Sequence, residues 1–185
     1  MRVIAGVHRG RKLIEVEGET TRPTTDKNKE KLFNILGQFF DGGLAIDLFS
    51  GSGALGIESI SRGMGQCIFI DLHPKAIATI KQNLKTLKIE APIAKVELAE
   101  ALLYLRRYQG MPFDLVLLDP PYQLNIIPEI LTLIESRQLL TKTGVIVCEN
   151  EKKTTLPVKI GKLVKQRESI EGITKFTFYL WEESL

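Results

Sequence analysis

A regular alternation of apolar runs and helical segments, beginning at residue 44, constrains the fold more than any other feature. The apolar runs lack the in/out alternation of a strand with one wet face, and segments of helical periodicity separate them. Such strands are typical of a parallel sheet that helices cover on both faces. Strands are predicted at 44–49, 67–71, 93–98, 113–118 and 145–149, and helices at 54–61, 74–87, 101–108 and 126–137.

The N-terminal part of the chain follows a different pattern. Two short apolar segments, 2–6 and 12–16, lie on either side of a glycine-containing turn and predict a β-hairpin. A helix is predicted within 22–40, with Thr24 or Thr25 as its N-cap. We therefore expect a small hairpin-and-helix extension ahead of the sheet.

At the other end, the helices stop after residue 155. Segments 159–170 and 173–182 predict a closing antiparallel pair of strands joined by a Glu-Gly turn. The expected fold class is α/β and Rossmann-like, with a mostly parallel seven-stranded sheet whose last strand is antiparallel. Residues 1–40 are interpreted as the extension and residues 41–185 as the main domain.

A glycine-rich loop follows the first strand of the repeat. Gly51, Gly53 and Gly56 form a G-x-G-x-x-G pattern, and Asp71 ends the next predicted strand 20 positions after Gly51. This pattern is the dinucleotide fingerprint, in which glycines let a ligand approach the backbone and an acidic residue accepts hydrogen bonds from a ribose. Nothing in it requires a pyrophosphate, so any cofactor that contains adenosine satisfies it.

Two further features favour a cofactor other than NAD. Asp47 precedes the glycine loop at the end of a buried strand, where a carboxylate favours a cationic amine or sulfonium and repels a pyrophosphate. The fourth strand of the repeat ends in the tetrapeptide Asp119-Pro120-Pro121-Tyr122, which a site for hydride transfer to or from NAD would not require. Both features lie where the carboxyl ends of parallel strands meet, which is where open α/β sheets bind ligands.

Together these motifs resemble a known family over nearly the whole chain. D-x-F-x-G-x-G, an acidic second strand end and D-P-P-Y are similar to class I S-adenosylmethionine-dependent methyltransferases. With "RVIAGVHRGRKL", "RPTTD…LFNIL" and "DLFSGSGALGIESISRG", the chain resembles the bacterial methyltransferases that modify guanine N2 in small-subunit (16S) ribosomal RNA. It departs from the family pattern at Val7-His8, at Glu100, where Asp or Asn is usual, and at Asn28, where an apolar residue is expected.

The resemblance implies a set of residues that hold S-adenosylmethionine. They lie at the ends of the first three strands of the repeat and in the loops that follow. This set comprises Asp47, Phe49, Gly51, Gly53, Asp71, Leu72, Glu100 and Ala101.

The D-P-P-Y tetrapeptide provides the candidate catalytic residues Asp119, Pro120 and Tyr122. Because proline has a fixed φ and no N–H, the loop is stiff, and the Pro120 carbonyl is a hydrogen-bond acceptor with a fixed direction. An ionised Asp119 only accepts hydrogen bonds, so it can bind the amine and help to remove its proton. Tyr122 offers a face on which the base can stack. Guanine has two adjacent donors, N1–H and N2–H, and therefore suits a carboxylate better than adenine does.

The charge distribution suggests a polyanionic partner. Residues 1–31 contain eight Lys/Arg and five Asp/Glu, whereas the rest of the chain has 17 of each. The candidate RNA-binding residues are Arg9, Arg11, Lys12 and Arg22. We expect ribosomal RNA or the small ribosomal subunit as the partner.

Other expectations concern the environment of the chain. We expect a cytoplasmic protein that binds no metal and does not associate with a membrane, because the sequence has no His/Cys cluster, signal peptide or long apolar run. A monomer is the default expectation, since no sequence feature indicates the oligomeric state. Cys67 and Cys148 lie in apolar stretches and are expected to be buried, reduced thiols.

Three alternatives remain open. A DNA adenine-N6 methyltransferase also carries D-P-P-Y, although 185 residues leave little room for a target-recognition domain. Protein-glutamine methyltransferases resemble N-P-P-Y rather than D-P-P-Y. A non-catalytic RNA-binding module with a vestigial cofactor site would bind the cofactor without methylating any RNA.

Overall fold

A computed structural model describes residues 1–18 and 25–184 of the chain. One sheet contains eight strands in the order β3-β2-β1-β4-β5-β8-β7-β6. The strands are β1 Leu44–Leu48, β2 Gln66–Asp71, β3 Ala94–Leu98, β4 Phe113–Leu118, β5 Leu140–Glu151, β6 Lys159–Ile160, β7 Leu163–Glu171 and β8 Thr174–Trp181. The helices are α1 Asp26–Leu36, α2 Ala54–Ser61, α3 Pro74–Leu87, α4 Ala101–Arg107 and α5 Ile127–Ser136, with 3-10 turns at Tyr122–Leu124 and Glu182–Ser184.

The predicted α/β class and its mostly parallel sheet are confirmed. β1 pairs in parallel with β2 and β4, and β3 and β5 extend the parallel sheet on either side. β8 inserts between β5 and β7 and is antiparallel to both. The eighth strand is the two-residue β6, which pairs with β7 at the edge. The sequence analysis predicted a single strand over 159–170, and the structure divides this segment into β6 and β7.

Two hydrophobic clusters cover the two faces of the sheet. α1, α2 and α3 pack on one face, and α4 and α5 pack on the other. The extension belongs to the first cluster, to which Val3, Leu13, Leu32 and Phe33 contribute. The strand order reverses between β1 and β4, so the crevice that binds ligands in such folds opens at the carboxyl ends of these two strands.

The predicted N-terminal hairpin does not form two regular strands. The segments do run antiparallel, but only one isolated bridge, Arg2 to Lys12, joins them. The reason is that other partners take the backbone N–H groups. Ile4 and Ala5 donate to the Glu58 carboxylate of α2, and Ile14 donates to Asn83 of α3. The prediction was therefore right about the reversal of the chain and wrong about the strands.

Other local features of the described residues concern the cap of α1 and the two cysteines. Thr25 is the N-cap of α1 and accepts from the Asn28 N–H at 3.1 Å, whereas Thr24 lies outside these residues. Cys67 and Cys148 are buried free thiols. Within the described ranges, no helix is long and apolar enough to cross a membrane, and no group of three or more His, Cys, Asp or Glu side chains could hold a metal ion. The division of the chain at residue 40 stays a prediction.

Candidate active site

The glycine loop turns sharply between β1 and α2. Gly51 and Gly53 have φ of 54° and 80°, a left-handed conformation that glycine adopts without strain. Phe49 has φ of 65°, which is uncommon for a residue with a side chain, and residues in such strained conformations cluster at functional sites. Nothing lies within 4 Å of a Cβ built at Gly51, so a ligand has room to approach the backbone there.

Ser50 fixes this loop to the neighbouring strand. Its hydroxyl donates to the Asp47 carbonyl at 2.6 Å and accepts from the Ile70 N–H at 3.0 Å. Its own N–H donates to the Ile70 carbonyl at 3.0 Å. The sequence analysis did not single out Ser50, although a serine between an apolar strand and the glycines is a signal that could have been used.

Asp47 is 1% exposed and faces α2. Its Oδ2 accepts from the Gly56 N–H at 2.9 Å. Burial raises the pKa of Asp47 to about 8; the Gly56 hydrogen bond opposes that shift, and the Asp119 and Asp71 carboxylates add to it. A cationic ligand placed beside this group would favour its ionised form.

Asp71 connects the end of β2 to the glycine loop. One carboxylate oxygen accepts from the Gly51 N–H at 2.8 Å, and the other accepts from the His73 N–H at 2.9 Å. Each oxygen retains a lone pair, so the side chain can still accept from a ribose hydroxyl. Leu72, the next residue, is 59% exposed beside it. The roles of both residues toward a cofactor stay predictions.

Glu100 begins α4. Its two carboxylate oxygens cap the helix by accepting from the Leu102 and Leu103 N–H groups at 3.0 and 2.8 Å, and Ala101 is buried in the first turn. Glu100 also lies on an open groove of about 1030 Å³ along β3 and α4. The glutamate that replaces the usual Asp or Asn is therefore a helix cap, and its role toward adenine stays a prediction.

The D-P-P-Y tetrapeptide follows β4 directly beside the end of β1. Leu118 of β4 is in register with Leu48 of β1 and with Cys148 of β5. Asp119 is half-buried and near enough to Asp47 to raise its pKa. Pro120 is buried, so the backbone that carries its carbonyl is held firmly.

Tyr122 begins the 3-10 turn after the prolines and is 42% exposed. Its side chain lies near Thr174, the first residue of β8. Partial burial raises the pKa of Tyr122, and the carboxylates of Glu149, Asp119 and Glu151 act in the same direction. The phenol therefore remains protonated at neutral pH and offers a partly exposed ring at the crevice.

Three of the four candidate RNA-binding residues, Arg9, Arg11 and Lys12, are exposed on the reversed N-terminal segment. The Arg11 guanidinium donates to the Thr86 carbonyl at 3.2 Å, which lays this segment against the C-terminal half of α3. Arg22 lies outside the described residues. Lys29, one of the eight bases that suggested a basic extension, is fully buried and adds nothing to the surface charge.

Two buried polar residues that the sequence analysis missed join the extension to the glycine loop and to the helix that follows it. Glu58 in α2 forms ion pairs with Lys29 and Arg62. Asn83 in α3 donates to the Ile14 and Ser52 carbonyls, both at 3.0 Å. A charged or amide residue within the apolar pattern of a helix is the signal that could have identified them.

The chain is similar to known proteins over nearly its whole length. Residues 1–180 match the family described as Conserved hypothetical protein 95. The Bacillus subtilis (strain 168) protein YlbH is 45% identical over 181 residues, which cover 97% of this chain and 98% of the relative. Ribosomal RNA small subunit methyltransferase D of Haemophilus influenzae is 35% identical over 181 residues, 97% of this chain and 93% of the relative.

Solved structures agree in fold. The Escherichia coli protein yhhF has a TM-score of 0.82 and 34% identity, and the match covers 98% of this chain and 97% of that chain. SMU.776, solved in complex with SAH, has a TM-score of 0.66 and 12% identity, over 82% of this chain and 49% of that chain. At that identity the second match concerns the fold alone.

Proposed function

The chain belongs to the family described as Conserved hypothetical protein 95, and on that premise we propose that it transfers a methyl group from S-adenosylmethionine to small-subunit ribosomal RNA. The proposed target is the exocyclic N2 amine of a guanine in 16S rRNA, within the assembled or assembling 30S subunit. The printed name of the Haemophilus influenzae relative supports the rRNA substrate. The cytoplasmic location and the monomeric state are parts of the same proposal.

The single observation that carries the proposal is the adjacency of two acidic strand ends. β1 brings Asp47 to the glycine loop, and β4, in register beside it, brings Asp119 to the double proline. The influence of Asp119 on the pKa of Asp47 follows from this closeness. A cofactor on the first strand end would therefore lie next to a substrate amine on the second, as direct transfer between them requires.

The residues of the first strand end fit the cofactor. When bound, S-adenosylmethionine supplies an electrophilic methyl group on a sulfonium. Asp47 provides a buried carboxylate whose ionisation a cation would favour, Gly51 leaves room beside the backbone, and Asp71 retains acceptor capacity for a ribose. Phe49, Gly53, Leu72, Glu100 and Ala101 complete the proposed cofactor-binding set.

The second strand end would handle the amine. The lone pair of the guanine N2 amine is delocalised into the ring. The Pro120 carbonyl and Asp119 would accept hydrogen bonds from the two N–H groups of this amine and thereby localise its lone pair toward the methyl group. Asp119 would then help to remove the proton that methylation leaves behind. Tyr122 would stack on the base after the base has left its own stack, and such stacking is worth about 1–3 kcal/mol.

The guanine assignment rests on hydrogen-bond complementarity. A carboxylate can accept from N1–H and N2–H of guanine together, whereas adenine presents an acceptor beside its amine. A DNA adenine-N6 methyltransferase is the alternative enzyme, because the same tetrapeptide can bind an N6 amine alone. The non-catalytic RNA-binding module is the alternative outside enzymes.

A methyl-transfer assay with labelled S-adenosylmethionine tests the proposal. Small subunits from cells that lack the modification, naked rRNA and duplex DNA are offered separately, and each product is digested to nucleosides. Label in N2-methylguanosine is expected, and the difference between subunits and naked rRNA reports whether ribosomal proteins are required. Label only in DNA adenine would favour the alternative enzyme, and bound cofactor without any transfer would favour the binding module.

Asp119→Ala provides the matching site test. We expect methylation to be lost while calorimetry still detects cofactor binding, because Asp119 belongs to the amine side of the site. Asp41→Ala removes an exposed aspartate ahead of β1 and is the control for loss of one carboxylate. Near-normal turnover of Asp119→Ala would contradict the catalytic assignment.

A further inference from the structure

A polar groove lies between α1 and β7. Its volume is about 390 Å³, which is within the range of ligand-binding clefts. Its lining includes three cations, Lys27, Lys31 and Arg167, and one acid, Glu30. We call this feature the α1–β7 groove, and its charge makes an anion the chemical class of ligand that suits it.

The register of β7 explains why these side chains meet. Arg167 is in register with Phe178 of β8 and Ser169 with Phe176, and both phenylalanines belong to the hydrophobic cluster on the α1 face of the sheet. Alternate residues of a strand point to the same face, so Arg167, Ser169 and Glu171 all point toward α1. The groove is therefore the space between one helix and one face of the sheet, and regular elements form both of its walls.

Arg167 has no partner of its own among the described residues. It is exposed, and within residues 1–18 and 25–184 its side chain forms no ion pair and no hydrogen bond. A guanidinium presents its N–H donors in a fixed planar arrangement that matches two oxygens of a phosphate. Arg167 is therefore available to a phosphodiester, and the Ser169 hydroxyl adds a donor to the same wall of the groove.

Lys27 and Lys31 share one acid, Glu171, at the end of β7. The Lys27 Nζ lies 2.6 Å from the Glu171 Oε1, and the Lys31 Nζ lies 2.9 Å from the Oε2 and donates to the Ile170 carbonyl at 2.6 Å. Hydrogen bonds from Lys27 and Lys31 lower the pKa of Glu171 to about 2, so this carboxylate is ionised at neutral pH. The Lys27 side chain is 76% exposed, and ion pairs between exposed charges are weak. A phosphate can therefore displace Glu171 from Lys27.

The groove opens at the same edge of the sheet as the D-P-P-Y tetrapeptide. β5 and β7 are both antiparallel to β8, so β7 ends at the edge where the parallel strands end. In the strand order β7 is three positions from β4, which corresponds to about 14 Å at the usual strand spacing. A nucleotide chain that places one base at D-P-P-Y therefore has its flanking nucleotides within reach of the groove.

We propose that the α1–β7 groove binds the RNA backbone beside the target base, with Arg167 and Lys27 as phosphate contacts and Glu171 as an internal competitor for Lys27. The inference rests on the proposed function, because it concerns the nucleotides that flank the base on D-P-P-Y. RNA suits the groove better than an acidic peptide does, since the groove opens at the edge where that base is bound. The exposed cations between residues 9 and 12 lie against α3, so the groove is a second and separate anchor.

Filter-binding titrations of 16S rRNA over a range of salt concentrations test the phosphate contacts. We expect Arg167→Ala and Lys27→Ala each to weaken binding about two- to fivefold, the range for one exposed ion pair. Each should also lower the magnitude of the slope of log K against log salt by about 0.7–0.9. Lys142→Ala is the control, because Lys142 is an exposed cation at the opposite edge of the sheet, where β5 begins.

Glu171→Gln should act in the opposite direction. The substitution keeps the size of the side chain and removes the charge that competes for Lys27, so RNA binding should become tighter and the salt slope steeper. A purely structural role of Glu171 predicts weaker binding instead. In methyl-transfer kinetics, Arg167→Ala should raise KM for the RNA and leave kcat unchanged, because a phosphate contact contributes equally to the bound state and the transition state.

A short oligouridylate, which contains no guanine, separates this inference from the proposed function. Its binding should depend on Arg167 and Lys27 in the same way, because phosphate contacts do not read the base sequence. A parent enzyme that methylates no RNA, but whose oligouridylate binding depends on Arg167, would overturn the proposed function and leave the groove as a site for the RNA backbone.

Two results would overturn the groove even if the parent enzyme methylates RNA normally. One is an unchanged affinity and salt slope in both Arg167→Ala and Lys27→Ala. The other is binding of polyglutamate as tight as that of oligouridylate, with the same dependence on Arg167, which would favour an acidic peptide as the occupant.

Discussion

Replacing Glu58 by alanine should destabilise the folded protein strongly, because this carboxylate is fully buried and satisfies four groups at once. It accepts from the Ile4 and Ala5 N–H groups at 2.8 and 3.0 Å. It also accepts from the Arg62 Nε at 2.8 Å and lies 3.4 Å from the Lys29 Nζ. The substitution therefore leaves two buried cations without their counter-ion and two backbone donors without their acceptor.

The magnitude follows from the cost of breaking a buried ion pair. Removing one partner of such a pair costs about 3–5 kcal/mol, chiefly because the other charge is left uncompensated. For a chain of this size, 1 kcal/mol corresponds to about 2–4 °C in Tm, so a decrease of roughly 6–20 °C is expected. Burial already lowers the pKa of Lys29, and Glu58 opposes that shift. In Glu58→Ala the folded protein should therefore bind the Lys29 proton less tightly than the unfolded chain, and part of the lost stability should return as pH rises.

Urea unfolding followed by circular dichroism at pH 7 and pH 9 measures both effects. Glu90→Ala is the control, since Glu90 is exposed. A loss below about 1 kcal/mol at pH 7, the value expected of a surface pair, would refute the reasoning. A loss that is equally large at pH 9 would show that the penalty arises from packing and the orphaned N–H groups rather than from charge.

Three further variants test other parts of the molecule. Replacing Arg9, Arg11 and Lys12 together by alanine should weaken RNA binding. The slope of log K against log salt should fall in magnitude by up to about 2–3, since each phosphate contact contributes about 0.7–0.9. An unchanged slope in filter-binding titrations would exclude these residues as phosphate contacts. The pKa of Asp47 is raised from 3.8 to about 8, so the folded protein keeps a proton that the unfolded chain has lost. The free energy of unfolding should therefore fall between pH 4 and 8 by up to about 1.4 kcal/mol per pH unit, and Asp47→Asn should remove this dependence in urea titrations. At Gly56, an added Cβ would lie 2.4 Å from the Phe69 ring, so Gly56→Ala should cost about 1–3 kcal/mol in thermal unfolding, and an unchanged Tm would contradict the close packing.

Much of the fold could be predicted because its signals are local. β1, β2, β4 and the buried part of β5 are nearly continuous apolar runs, and such runs predict buried parallel strands without knowledge of their neighbours. The start of α3 could also be predicted locally, because Pro74 lies in the first helical turn, where a missing N–H costs nothing. The glycine loop and the D-P-P-Y tetrapeptide could be placed because each directly follows a predicted strand.

What could not be predicted depends on partners far along the chain. The segments 2–6 and 12–16 have the sequence pattern of a hairpin. The backbone N–H groups of Ile4 and Ala5 nevertheless donate to the Glu58 carboxylate, 53–54 positions away. A lysine in a basic segment, such as Lys29, is expected at the surface. Lys29 is buried instead, because it forms an ion pair with Glu58 of α2. Local composition contains no information about such pairs, so strands and surface charge were overpredicted in the same segment.

The position of the extension relative to the glycine loop follows from directional bonds as well as from apolar packing. Asn83 accepts from the Ile14 N–H at 2.8 Å and donates to the carbonyls of Ile14 and Ser52, so one buried amide binds the extension and the glycine loop together. Glu58, on the helix that the loop begins, binds the extension a second time. Because both residues are buried and fully bonded, the extension cannot shift without leaving polar groups unsatisfied. The exposed cations between residues 9 and 12 are therefore held at a fixed place relative to the glycine loop, which their proposed role in RNA binding would require.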